Sequence, residues 1–166
     1  MMRVAILTVS DSVVAGTRVD RSGPELERRC TELKWNVALK AAVNDDREGI
    51  ASQLIQWADS GQVQVILTTG GTGVAPRDVT PEATGAVIER EIPGISEIMR
   101  LEGRQKTKFS VLSRARAGIR GATLIINLPG SPKGAVESLD LVAELIPHVI
   151  DLISGKTEHA TGTTNQ

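Results

Sequence analysis

Four short runs of aliphatic and β-branched residues recur along this chain, and each is followed by a longer segment with helical periodicity. The runs are residues 3–9, 37–43, 63–69 and 122–128. Because alternating strands and helices form parallel sheets covered by helices, the sequence predicts an α/β fold, a three-layer sandwich with a mostly parallel sheet and helices on both faces. The 166 residues, 40% of them hydrophobic, suit one core. We expect a single domain over residues 1–155 and a flexible polar tail over residues 156–166.

Helices are predicted where capping residues precede apolar positions spaced three or four apart. The predicted starts are Ser22 with Glu25 in a capping-box spacing, Asp45 with Glu48, Thr80 with Pro81, and Ser131 with Pro132. The last of these helices is expected to run to about residue 154, with a kink at Pro147. Cys30 and Trp57 lie on apolar helix faces, so we expect both to be core residues.

Charge and composition exclude several classes of function. Nineteen basic residues against twenty acidic ones are too balanced for binding nucleic acid by neutralising phosphates, and one Phe, two Trp and no Tyr give no platform for stacking bases. One cysteine and two histidines are too few for a structural zinc site or a disulfide framework. No apolar run suits a membrane span or a signal peptide. We expect a cytoplasmic protein that binds neither nucleic acid nor membranes.

Polar or glycine-rich loops follow all four predicted strands, at residues 10–12, 44–46, 70–78 and 129–131. Ligands of parallel sheets bind beyond the carboxyl ends of the strands, so these loops are expected to form one site. The third loop contains Gly70, Gly71, Thr72 and Gly73, whose amides and hydroxyl suit an anion. It has neither the Walker pattern nor a dinucleotide fingerprint. Taken alone, it equally fits a tight turn.

Two carboxylates, Asp45 and Asp78, are expected to face this loop. Magnesium at phosphate sites is held by one or two carboxylates, with phosphates and water completing its coordination, so the pair suits Mg-nucleotide chemistry. In the alternative interpretation, Asp45 does no more than cap a helix and Asp78 does no more than pair with Arg77. Asp46 is a rival candidate for the role of Asp45. No serine–histidine–acid triad can be assembled.

The stretch from residue 104 to residue 120 is the one strongly biased in charge. It contains no acidic residue and six basic ones: Arg104, Lys106, Lys108, Arg114, Arg116 and Arg120. These cations either neutralise phosphates or form a solvated face.

Six motifs together resemble the molybdopterin adenylyltransferases of the MogA family and the G domains of gephyrin and of the plant molybdenum-insertase protein. They are LTVSDS at 7–12, DRSGP at 20–24, TTGGTG at 68–73, PRDVTPEAT at 76–84, LSRARAGIRG at 112–121 and NLPGSPKG at 127–134. The MoaB proteins share the fold and the GGTG segment and are a close rival. The motifs at 76–84 and 112–121 look more like the adenylyltransferase branch.

The resemblance implies a homotrimer that binds molybdopterin and Mg-ATP, transfers AMP to the terminal phosphate of molybdopterin, releases pyrophosphate and hands its product to a molybdenum insertase. Asp45 and Asp78 match the functional aspartates and would hold Mg²⁺ directly or through water. The residues that the resemblance assigns to substrate binding are Gly70, Gly71, Thr72, Gly73, Thr80, Ser113, Arg114 and Asn127. Those that it assigns to nucleotide binding are Ser10, Asp11, Asp20, Ser22, Pro129, Gly130 and Ser131.

Two positions depart from the family pattern. Ser131 stands where eukaryotic G domains often have Asn, and Gly103 stands where plant-type relatives are expected to have a serine, so a contact to the pterin phosphate is expected to be missing. The alternative function is a MoaB-like or scaffold-type molybdopterin-binding protein with little or no catalysis. An unrelated nucleotide-handling α/β protein would require all six matches to be coincidence.

Overall fold

A computed structural model describes residues 1–156 and shows one six-stranded sheet. The strands are β1 (Arg3–Val9), β2 (Asn36–Val43), β3 (Val65–Thr69), β4 (Arg90–Glu91), β5 (Ala117–Arg120) and β6 (Thr123–Leu128). They lie in the order β2-β1-β3-β6-β5-β4. The first four strands in this order pair in parallel, whereas β5 pairs antiparallel with both β6 and β4. The predicted mostly parallel sheet is confirmed; of the predicted tail, residues 157–166 lie outside the described residues.

Helices cover both faces of the sheet. They are α1 (Asp11–Val14), α2 (Ser22–Glu32), α3 (Arg47–Asp59), α4 (Thr80–Val87), α5 (Pro93–Gly103), α6 (Pro132–Val142) and α7 (Ile146–Ile153), with a 3₁₀ helix at Lys108–Leu112. The helices α2, α5, α6 and α7 bury their apolar side chains on one face, and α3 and α4 do so on the other. Within residues 1–156, no helix is both long enough and apolar enough to cross a bilayer.

Central strands supply side chains to both cores. Along β1, Val4 and Ile6 belong to the core cluster under α2, whereas Ala5 and Leu7 belong to the cluster under α3. This alternation is what a parallel strand with both faces covered requires, because successive side chains point to opposite faces. The continuous apolar runs in the sequence therefore mark strands that are buried on both sides.

Three predicted helix starts are wrong in detail, and in one of them the cap of α3 is Asp46 instead of the predicted Asp45. Ser22 is the first residue of α2 and not its cap; its hydroxyl donates to Asp20 Oδ1 at 3.5 Å. Thr80 is likewise inside α4, and its hydroxyl donates to the carbonyl oxygen of Gly70 at 2.9 Å. Both side chains are therefore used to hold the loops that precede their helices.

The C-terminal helix predicted from Ser131 is two helices. Ser131 does cap α6, since its hydroxyl accepts the N–H of Gly134 at 3.1 Å. Residues 143–145 form turns between the two helices, in which the N–H of Leu145 donates to the carbonyl oxygen of Val142 at 2.9 Å. Pro147 lies in the first turn of α7, where its missing N–H costs nothing. The expected kink at Pro147 is therefore a helix start.

Cys30 is fully buried, and this burial raises the pKa of its thiol to about 12. At pH 8 its thiolate fraction is expected to be roughly three orders of magnitude below that of a free cysteine. We therefore expect iodoacetamide, followed by mass spectrometry, to label Cys30 only when urea unfolds the protein. Labelling of the native protein at the rate of a free thiol would show that this core opens readily.

Candidate active site

The loops that follow β1, β2, β3 and β6 meet at one edge of the sheet, as predicted. The N–H of Gly70, at the end of β3, donates to the carbonyl oxygen of Leu128 at 3.2 Å. The Cα of Gly70 lies 3.3 Å from the position that a Cβ on Gly130 would occupy. The glycine loop and the Pro-Gly-Ser loop therefore pack closely through their backbones, and a side chain at position 130 would make a tight contact with Gly70.

Asp11 and Asp45 are joined by two reciprocal hydrogen bonds. The N–H of Asp11 donates to Asp45 Oδ2, and the N–H of Asp45 donates to Asp11 Oδ1, each at 3.0 Å. Arg77 holds the pair from outside, because its Nε donates to Asp11 Oδ2 at 2.6 Å and its Nη2 to the Asp45 carbonyl oxygen at 3.2 Å. This guanidinium keeps the pKa of Asp11 below its ordinary value. Arg77 thus pairs with Asp11 and not with Asp78.

Asp46 caps α3, since its Oδ2 accepts the N–H of Gly49 at 2.7 Å. The carboxylate of Asp45 is therefore left to face the glycine loop, and its Oδ1 lies 3.2 Å from where a Cβ on Gly71 would be. Burial raises the pKa of Asp45; the backbone N–H of Asp11 lowers it, and the charges of Asp11 and Asp78 raise it again. A bound cation would favour the ionised form of a carboxylate that has two like charges nearby.

The glycine loop follows a path that side chains would block. Gly70 and Gly71 have φ values of 104° and 68°. A Cβ on Gly71 would lie 2.3 Å from Thr80 Oγ1, and one on Gly70 would lie 2.4 Å from the carbonyl oxygen of Val9. Thr80 is fully buried and supports the loop from below. The segment is thus a tight turn, which was the alternative to an anion-binding loop. Its residues 70–73 nevertheless line two cavities.

Arg114 fixes the far part of this loop. Its guanidinium donates to the carbonyl oxygens of Gly73 at 2.7 Å and Asp78 at 2.6 Å, and it pairs with the carboxylate of Glu82, whose pKa it lowers. Its own N–H donates to the Thr72 carbonyl oxygen at 2.8 Å. All these contacts are within the protein, so the guanidinium positions the loop.

Other members of the basic stretch are also paired. Arg116 bonds the carboxylate of Glu91 at 2.8 Å, and Arg120 bonds that of Asp59 at 2.9 Å. With Arg114 they form ion pairs that hold the fold, and this leaves Arg104, Lys106 and Lys108 as the remaining cations of the stretch. The second half of the basic stretch therefore does not support the hypothesis that all six cations neutralise phosphates.

Asn127 is fully buried on β6 and uses its whole amide group inside the protein. Its Nδ2 donates to the hydroxyls of Thr68 at 3.0 Å and Thr84 at 2.9 Å, and its Oδ1 accepts the N–H of Arg116 at 3.0 Å. These bonds join β6 to β3, to α4 and to the start of β5. Asn127 thus forms part of a cavity floor and has no free amide group for a ligand.

The first loop is anchored by Asp20. Its carboxylate accepts the Thr8 hydroxyl at 2.7 Å and the N–H of Gly23 at 3.0 Å, so it performs the capping role predicted for Ser22. Ser10 caps α1, because its hydroxyl accepts the N–H of Val13 at 3.2 Å. Both side chains fix the path of the loop beside the cavity.

Two cavities share one wall at this edge of the sheet. The smaller, of about 490 Å³, lies between the first loop, Asp45 and the glycine loop, and the larger, of about 610 Å³, lies between the glycine loop, α5, the 3₁₀ helix and α6. Both are lined by Gly71, Asp78, Gly130 and Ser131. Asp78 is held there by its Oδ2, which accepts the N–H of Ala75 at 3.0 Å.

Most predicted site residues line one of these cavities. The smaller contains Ser10, Asp11, Asp20, Ser22, Asp45 and Gly70 in addition to the shared wall. The larger contains Thr72, Gly73, Ser113, Asn127 and Pro129. Thr80 and Arg114 line neither cavity and act through the loop that they support. Within residues 1–156, no three side chains of His, Cys, Asp or Glu form a metal site by themselves.

The larger cavity holds a hydroxyl that sequence reasoning missed. A Cβ on Gly103 would lie 2.3 Å from Ser110 Oγ, so the Ser110 hydroxyl occupies the space that a side chain at position 103 would need. Ser110 lies in the 3₁₀ helix and donates to the Arg100 carbonyl oxygen at 2.8 Å. No sequence pattern indicated this helix, so its contribution could not be anticipated.

Residues 5–148 match the family model described as a probable molybdopterin binding domain. The chain belongs to this molybdopterin-binding family. It is 40% identical over 156 residues to the molybdopterin adenylyltransferase of Helicobacter pylori strain 26695, which covers 93% of this chain and 89% of that relative. It is 43% identical over 149 residues to the Drosophila melanogaster molybdenum cofactor synthesis protein cinnamon, covering 89% of this chain but only 25% of cinnamon.

Solved structures of the molybdopterin-binding family have the same fold. The molybdopterin biosynthesis enzyme MoaB from Thermus thermophilus superposes with a TM-score of 0.88 at 48% identity, over 93% of this chain and 98% of that one. The family and the fold class implied by the six sequence motifs are therefore confirmed. Because relatives named as adenylyltransferase and as MoaB both match, the choice between these two roles depends on the site.

Proposed function

We propose that this chain uses Mg-ATP to adenylylate molybdopterin in molybdenum cofactor biosynthesis, with release of pyrophosphate. The observation that carries this proposal is the wall shared by two cavities, with Asp78 in it. A reaction that joins two large substrates needs adjoining sites whose reacting groups meet. The similarity to the Helicobacter pylori adenylyltransferase over most of its length supports the same reaction.

The linings of the two cavities favour one assignment of substrates. The smaller cavity is lined by Asp11, Asp20 and Asp45 and by backbone of the strand-end loops, which suits a metal-bound polyphosphate. The larger is lined in part by Met99, Phe109, Leu112 and Leu141, and apolar walls of this kind pack against planar heterocycles. We therefore assign the nucleotide to the smaller cavity and the pterin to the larger.

Asp45 and Asp78 fit a magnesium ion that is also held by nucleotide phosphates. Two carboxylates are too few to hold the ion alone, but phosphate oxygens and water complete such sites. Bound Mg²⁺ would neutralise charge on the phosphates during transfer. Burial and like-charge repulsion raise the pKa of Asp45, and a cation in this position would offset both effects.

The remaining chemistry needs no nucleophile from the protein. A phosphate oxygen of molybdopterin attacks the α-phosphorus, and the bond from that phosphorus to the α,β-bridging oxygen breaks, so pyrophosphate leaves with the bonding electrons. The chain contributes by alignment: Gly71 and Gly130 line both cavities, while Arg77 and Arg114 fix the segments that carry Asp11 and Asp78. The hydroxyls of Thr72 and Ser113 are proposed to contact molybdopterin.

A second candidate is a MoaB-like or scaffold-type protein that binds molybdopterin with little or no catalysis. The similarity to the Thermus thermophilus MoaB structure favours only the MoaB-like part of this candidate, because that relative is itself named a biosynthesis enzyme. The position of Asp78 in the lining of both cavities favours the enzyme, since a scaffold has no need of a carboxylate there. The homotrimer, the cytoplasmic location and the transfer of product to a molybdenum insertase remain predictions.

The reaction itself is the test of the proposed function. We expect purified protein with molybdopterin, ATP and Mg²⁺ to yield adenylated molybdopterin and pyrophosphate in equal amounts, followed by mass spectrometry. Chelation of the metal by EDTA is expected to stop the reaction, and added Mg²⁺ is expected to restore it. Molybdopterin binding without product would favour the second candidate, and absence of binding to either substrate would refute both.

A further inference from the structure

The smaller cavity has a cationic rim formed by Arg18 and Arg21. We propose that these two residues form a subsite for the β- and γ-phosphates of the nucleotide and for the pyrophosphate that leaves. The inference rests on the proposed function, and it assigns a role to residues outside both the predicted site and the basic stretch at 104–120.

The charges of this cavity favour such a subsite, since Arg77 pairs with only one of its carboxylates, that of Asp11. Its lining includes four carboxylates, those of Asp11, Asp20, Asp45 and Asp78. A triphosphate would bring further negative charge among them, and one divalent cation offsets only part of the total. Arg18 and Arg21 are the cationic side chains of the lining.

Both guanidinium groups are available to a ligand. Among the described residues, neither Arg18 nor Arg21 has a carboxylate within ion-pair distance, whereas Arg114 and Arg120 each have one and Arg28 has two. Their backbone is nevertheless fixed, since the N–H of Arg18 donates to the Ser12 carbonyl oxygen at 3.2 Å and Arg21 directly follows the anchored Asp20. An arginine fork on a fixed backbone is well suited to phosphate oxygens.

The geometry of the transfer directs the leaving group toward this rim. In phosphoryl transfer the attacking and leaving oxygens lie roughly in line. Molybdopterin would attack from the larger cavity, across the wall that contains Gly71 and Asp78, so pyrophosphate must point away from that wall. Arg18 and Arg21 line the smaller cavity and not the larger one, which places them on the side of the leaving group.

An opening of about 620 Å³ continues outward from the rim. It shares Asp20, Arg21 and Pro132 with the smaller cavity and adds Lys133, whose side chain is 86% exposed. Arg21 therefore faces both spaces. The lining of this opening also includes Glu25, Arg28 and Glu137, so it adjoins the proposed subsite at Arg21 without adding net positive charge.

The test compares nucleotides that differ only in their outer phosphates. Calorimetric titrations with Mg²⁺ present would measure ATP, AMP and pyrophosphate binding to the wild type and to the double variant Arg18→Gln/Arg21→Gln. We expect the dissociation constants for ATP and pyrophosphate to rise about 10- to 100-fold, because charge-assisted contacts are lost, while that for AMP changes less than about twofold. The matched control Arg3→Gln/Arg90→Gln removes the same charge from two residues that line none of these cavities, and it is expected to change none of the dissociation constants.

Each other result has a definite meaning. Equal weakening of AMP and ATP would mean that the arginines hold the adenosine or the α-phosphate, and unchanged ATP binding would mean that they are only solvated; either result overturns the subsite. If the wild type transfers AMP and the variant shows no selective loss, the subsite fails while the proposed function stands. If the wild type does not bind Mg-ATP at all, both fail together.

Discussion

Replacing Asp78 by asparagine is expected to lower the rate of AMP transfer by about 10²- to 10³-fold, the range seen when one electrostatic contact to a transition state is removed. The amide has the size of the carboxylate but cannot offer its charge to a metal-bound phosphate. Asp78 accepts one hydrogen bond, from the N–H of Ala75, so the fold is expected to tolerate the change. The loss should therefore appear in kcat, with molybdopterin binding within about threefold of the wild type.

The measurement is the adenylylation assay combined with a molybdopterin titration of the same preparation. Asp46→Asn is the matched control, because it makes the same substitution at an aspartate that caps α3, and asparagine caps helices as well as aspartate does. We expect the control to retain the wild-type rate within about twofold. If Asp78→Asn also stayed within a few-fold of the wild type, a catalytic role for Asp78 would have to be abandoned.

Gly71→Ala is expected to inactivate the protein and to destabilise it more than an ordinary left-handed glycine substitution does. The new methyl group would need the space of Thr80 Oγ1, 2.3 Å away, and of Asp45 Oδ1, 3.2 Å away. Displacing these atoms moves the glycine loop and the Asp45 carboxylate, and misplacement by about 1 Å can cost 10²-fold in rate. Overpacking adds about 1–3 kcal/mol to the conformational strain.

Gly61→Ala separates the two costs. Gly61 has φ of 69°, nearly the same as the 68° of Gly71, but nothing lies within 4 Å of its missing Cβ. The control is expected to lose about 1–2 kcal/mol in urea unfolding, from backbone strain alone, with activity unchanged. Equal losses of stability and activity in both variants would show that the contacts around Gly71 do not matter.

The sequence predicted the four strands that build the site because each is a continuous apolar run, and it predicted the meeting of their loops because parallel strands end at one edge. It missed β4 and β5, which have only two and four residues and are too short to show a period. It also could not separate Asp45 from Asp46. Adjacent aspartates are equally good caps, and only the backbone conformation decides which one turns toward the cavity.

The role of the basic stretch could not be predicted from local charge either. The partners of Arg114, Arg116 and Arg120 lie 32, 25 and 61 residues away in the chain, and only the fold brings them together. Arg18 and Arg21, in contrast, lie in a segment of mixed polar character that has no charge bias of its own. A cation is available to a ligand when tertiary structure leaves it without a partner, and composition does not report this.

The wall shared by the two cavities and the outer wall of the larger cavity come from different parts of the chain. Residues that meet at the junction come from loops at the ends of β3 and β6, whereas much of the outer wall of the larger cavity comes from one continuous stretch, residues 99–113. Substitutions in that stretch would alter the shape of the larger cavity without touching the glycines that fix the junction. On the proposed function, the choice of the second substrate could therefore change while the geometry of the transfer step stays the same.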